Sequence, residues 1–115
     1  MARKPRPKIV ERMASVSESE LRAWVERLSV PRHFMMEPDE NEAAALWIAA
    51  QLQGWGYDVH LQGHWRNVVA LPKTISGPLT LVGAHYDSVG GCSGADDNAS
   101  AVAAMLGCAK ACADQ

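Results

Sequence analysis

Several features are missing or scarce in this sequence, and each absence excludes something. Its longest apolar run, from Ala43 to Ala50, is far short of the ~20 residues that a membrane-crossing helix needs. No apolar stretch follows the early basic residues Arg3, Lys4, Arg6 and Lys8, so a secretory leader is not expected. Charge of one sign is also lacking. Eleven Lys and Arg stand against 13 Asp and Glu, for a net charge of −2, which argues against a basic nucleic-acid binder. The three cysteines, Cys92, Cys108 and Cys112, are odd in number and do not make a disulfide framework. On these grounds a soluble, cytoplasmic chain without nucleic-acid or membrane partners is expected.

What is present suits a single small domain. The 115 residues are 48% hydrophobic and 21% charged, enough apolar material for a core and too much for a disordered chain. Residues 1–16 read as a flexible basic tail and residues 17–115 as the folded part. Ser17 with Glu20 three residues later forms a capping-box pattern. Leu21, Trp24, Val25 and Leu28 then share one helical face, and Pro31 closes that helix near Ser29. A second helix is expected from Asp39 as cap, with Ala44, Ala45, Ile48, Leu52 and Trp55 inward and Gly54 and Gly56 as stop signals.

The period then changes. Tyr57, Val59 and Leu61 alternate with polar residues, a strand with one wet face. Asn67 to Leu71 is a second strand. Residues 79–84 read as a third, more apolar and therefore more central. A helix over about Ser100 to Ala113 follows a Gly-rich loop, with Val102, Met105, Leu106 and Ala109 on its apolar side. Cys108 and Cys112 are expected to be buried, and Cys92 exposed in its loop. The order α α β β β α gives an α/β or α+β class.

The chemistry concentrates in Gly83-Ala84-His85-Tyr86-Asp87-Ser88 and Gly94-Ala95-Asp96-Asp97-Asn98-Ala99-Ser100. His85 and Asp87 follow an apolar strand and, being two apart, point to the same side. Asp97 returns through the loop at the start of a helix. An imidazole and a carboxylate from neighbouring segments suit one half of a zinc site, and Asp87 is placed to hold the far nitrogen of His85. The same Asp-Asp-Asn run also fits an ordinary helix cap. On spacing alone the two readings stand side by side. The other histidines, His33, His60 and His64, precede the motif and read as surface residues.

Together with Asn67-Val68-Val69-Ala70, these motifs resemble the di-zinc aminopeptidase family, which includes glutamate carboxypeptidases and glutaminyl cyclases. The resemblance runs from about Ser17 onward. It implies a three-layer α/β/α sandwich around a mixed sheet, of which this chain is the front part, truncated after the helix that follows the Asp ligand. It implies two zinc ions, His85 on one of them, Asp97 bridging both, and Asp87 behind His85. It also implies a cis peptide after Asp97. A shared carboxylate offsets the repulsion of two cations about 3.5–4 Å apart. The substrate implied is a peptide. The family's further Glu, Asp and His ligands and its general-base Glu have no counterpart after Ser100, and Ala101 stands where the family usually has Gly. A non-catalytic binding or interaction module and a glutaminyl-cyclase-like acyltransferase are the alternatives. An unpaired strand edge, with apolar faces at Leu81, Val82, Val102, Met105 and Leu106 left uncovered, invites self-association.

Overall fold

The computed structural model describes residues 9–113. The expected basic tail therefore lies outside the described residues as far as residue 8. In its remainder Ile9–Met13 form a short helix, α1. The Arg12 guanidinium donates to the Ala111 carbonyl at 3.3 Å, which ties α1 to the last helix.

Helix α2 spans Glu18–Leu28 and starts with the expected capping box. The Glu20 amide donates to Ser17 Oγ at 3.1 Å, and the Ser17 amide donates to Glu20 Oε2 at 3.0 Å. The other Glu20 oxygen pairs with Lys110 from the far end of the chain. Helix α3 spans Pro38–Gly54, so it starts before Asp39 and is not capped by it. Pro38 has its φ preset for a first helical position and needs no partner for a missing N–H. Glu37 occupies the cap position, but its carboxylate turns back to accept from the His33 amide at 3.0 Å. At the other end Gly56 has φ +95°. Its amide donates to Gln53 O and the Tyr57 amide to Leu52 O, a paired closure that needs a left-handed residue at this position.

Strands β1, Asp58–Gln62, and β2, Asn67–Leu71, pair antiparallel with Asp58 opposite Leu71 and Gln62 opposite Asn67. The expected third strand is not there. Among the described residues the sheet has two strands, and residues 79–84 join no ladder. A run of apolar residues becomes a central strand only where partners take its amides and carbonyls. Here Leu81 is 95% exposed, and Leu79 and Val82 are also on the surface.

Helix α4, Ser100–Cys112, closes the fold. The core joins Trp24 and Leu28 of α2, Ala44, Ile48 and Leu52 of α3, and Val102, Ala103 and Leu106 of α4. Val102 and Leu106 are thus fully buried rather than left uncovered, because α2 and α3 take up that face. Cys108 and Cys112 fall on the opposite side of α4 and are exposed, contrary to expectation. Tyr57 reaches across to donate its hydroxyl to Ala109 O at 2.6 Å. The mixed helix and strand content is compatible with an α/β class. No helix of the described residues is long and apolar enough to cross a membrane.

Candidate metal centre

The site is built where the segment after residue 84 meets the start of α4. His85 and Asp87 project from the first. Asp97 comes from a wide turn, Ala95–Ala99, whose Ala99 amide donates to Gly94 O at 3.0 Å. Inside this turn Asp97 and Asn98 leave helical geometry, and the bond between them is cis. Gly94 makes the turn possible. It has φ +59°, and a Cβ there would lie 2.8 Å from Asp97 O and 2.9 Å from Ser88 Cβ.

All three residues singled out in the sequence come together. His85 Nδ1 lies 3.1 Å from Asp87 Oδ1, and His85 Nε2 lies 3.1 Å from Asp97 Oδ1. The imidazole thus spans two carboxylates, one on each ring nitrogen. If Nδ1 donates its proton to Asp87, Nε2 presents a lone pair to the lone pairs of Asp97. Two acceptors facing each other need a proton or a cation between them. Zinc bonds of about 2.0–2.2 Å at the tetrahedral angle would separate two donor atoms by about 3.3–3.6 Å. The observed spacing is close to that, and the N and O donors are types that zinc accepts, so the pair fits the ion. Among the described residues, no group of three or more His, Cys, Asp or Glu side chains is gathered to hold a metal.

The organising residue is Arg32, which the sequence did not announce. It is fully buried. Its Nε donates to Tyr86 O at 2.6 Å, one amino group donates to Ser93 O at 2.6 Å and Val30 O at 3.0 Å, and the other donates to Gly94 O at 3.0 Å. The Arg32 amide donates to Ser88 Oγ at 2.9 Å, and Asn41 Nδ2 donates to Arg32 O at 3.0 Å. One side chain therefore pins both the His85-Tyr86-Asp87 segment and the entrance of the Asp97 turn. Burial lowers the guanidinium pKa, and the nearby Asp87 and Asp97 charges oppose that shift. Burial likewise raises the Tyr86 phenol, with Arg66 pulling the other way. That hydroxyl donates to Arg66 O at 2.8 Å and Trp65 O at 3.0 Å, which anchors the site segment to the hairpin turn.

Two clefts open at the site. One, of about 360 Å³, is mostly apolar and includes Phe34, Trp65, Val82 and Met105 with His85 and Asp87. The other, of about 500 Å³, is shallower and is lined by His33, Met36, Gly90 and all three of His85, Asp87 and Asp97. His60 and His64 are on the surface as expected. His33 is half-buried and faces the second cleft. Its placement rests on the same turn that delivers Arg32, a relation no local spacing reveals.

Comparison with known proteins covers the same stretch of chain. The pattern of peptidase family M28 matches residues 67–115, which carry β2, His85, Asp87 and Asp97. A curated relative, the uncharacterized protein YfbL of Escherichia coli (strain K12), is 44% identical over 52 residues, covering 38% of this chain. The chain spans 16% of the length of that relative. No solved structure matches. Residues 67–115, which hold the imidazole and both of its carboxylate neighbours, are thus the part of the chain that is similar to peptidase family M28.

Proposed function

We propose that the chain carries the opening half of the metal site of a zinc-dependent exopeptidase that removes residues from the amino end of peptides. The observation that carries this reading is the 3.1 Å approach of His85 Nε2 to Asp97 Oδ1, with Asp87 on the other ring nitrogen. His85 and Asp97 would hold zinc, and Asp97 exposes 74% of its side chain. Asp87 accepts from Nδ1, keeps the imidazole in the tautomer whose Nε2 is a ligand, and stops the ring from turning away. Arg32 holds both backbone segments so that the two donors stay aligned. The zinc, when bound, supplies Lewis acidity toward the scissile carbonyl and toward an attacking water.

The full reaction needs more ligands and a carboxylate base. On this reading they come from sequence beyond this chain. Purified 115-residue protein with added Zn²⁺ is therefore expected to leave aminoacyl-anilides intact. Chelator-sensitive hydrolysis by this chain alone would contradict the division of the site. The DNA that follows codon 115 is expected to encode a Glu-Glu pair, an Asp and a His in that order. Their absence from every frame would remove the peptidase reading itself.

A further inference from the structure

The reading above uses one histidine of the second cleft and leaves the other, His33, without a role. Its ring is fixed by its own turn. The amides of Met35 and Met36 both donate to His33 Nδ1, each at 3.1 Å. A nitrogen that accepts from two N–H groups carries no proton, so the ring proton of the neutral imidazole sits on Nε2. This tautomer makes His33 the reverse of His85. His85 offers a lone pair at Nε2, whereas His33 offers an N–H and has no remaining lone pair for a metal.

The ring is held in place as well. It stacks on Phe34 with centroids 4.6 Å apart and planes 20° apart. Its neighbour Arg32 is locked in the carbonyl cage, and the His33 amide is bound by Glu37. Nδ1 is taken by the backbone, and His33 lines the cleft that it shares with His85, Asp87 and Asp97. That cleft holds two carboxylates and the imidazole lone pair, all acceptors. His33 is a fixed neutral donor beside them.

We infer that His33 is a substrate-binding residue, donating Nε2–H to a carbonyl or carboxylate oxygen of the peptide held in this cleft. The inference rests on the peptide reading for its ligand but not on the zinc reading for its chemistry. A neutral, preset donor pairs with such an oxygen without bringing a charge that would compete for the carboxylates.

The test uses the full chain labelled with ¹⁵N, with leucylglycine as probe, in separate titrations with and without Zn²⁺. The expected result is an Nε2–H tautomer for His33 in the free protein and a shift of that nitrogen on adding the dipeptide. His33→Asn keeps an acceptor at the Nδ1 position for Met35 and Met36 but has nothing at the Nε2 position. It is expected to fold as the parent does and to bind the dipeptide about three- to tenfold more weakly. His33→Gln restores a donor near the Nε2 position and is expected to recover part of the loss. An Nδ1–H tautomer, no dipeptide binding by the parent chain, or equal binding by His33→Asn would overturn the inference. The zinc arm is read at His85. Zinc that leaves His85 unmoved counts against the metal reading alone, while a dipeptide that moves His85 and not His33 counts against this inference alone.

Discussion

Three side chains decide what this site can do. Asp87 and Asp97 flank one imidazole, each facing a different ring nitrogen. The proximity of His85 and Asp97 was legible in the sequence because only twelve positions separate them. Arg32 and His33 were not. The Arg32 bonds that shape the site reach partners 54 to 62 positions away, and no local pattern distinguishes such an arginine from a solvated one. Gly94 tests the shaping directly. Gly94→Ala puts a methyl group against a backbone oxygen at a left-handed φ. A loss of about 2–4 kcal/mol in urea unfolding is expected, with displaced His85 and Asp97 resonances. A variant as stable as the parent would show that the turn adapts without cost.

The helices and the hairpin followed from local signals. Ser17 and Glu20 read correctly as a capping box, and Gly56 as a stop, because those devices are settled by bonds within one turn of chain. The start of α3 was displaced because Pro38 outweighed Asp39. Residues 79–84 misled because strand character depends on partners as well as on composition. The Glu20–Lys110 pair adds a non-local tie between α2 and α4. The Lys110 hydrogen bond, with help from the Ser17 amide, lowers the Glu20 pKa below its ordinary 4.5. A lowered carboxylate pKa stabilises the fold above the unfolded value, and that contribution is lost as pH falls through the folded value. Glu20→Gln is therefore expected to cost about 0.5–1 kcal/mol at neutral pH and less as the solution is acidified below about 4.5. Thermal melts across that range check it. A cost that does not change with pH would assign the effect to packing.

Taken whole, the molecule has a closed helical side and an open sheet side. The core buries Leu28, Ile48, Val102 and Leu106 completely, whereas Leu79, Leu81 and Val82 stand exposed beside a two-stranded sheet. An apolar segment next to an unpaired edge invites a second chain. Association that rises with concentration is expected by light scattering, and Leu81→Asp is expected to reduce it. A monomer at all concentrations would mean that the exposed segment is tolerated in water. Even this outcome would leave the His85 site untouched, since the segments that carry it are held by Arg32.

The most direct test is a Zn²⁺ titration of the parent chain, His85→Ala and Asp97→Ala, followed by calorimetry and by the His85 ring nitrogens. The account predicts weak, saturable binding of one ion centred on His85 Nε2. It also predicts affinity at least about tenfold lower in either variant. Zinc that binds all three proteins equally, or that leaves the His85 ring unperturbed, would contradict it.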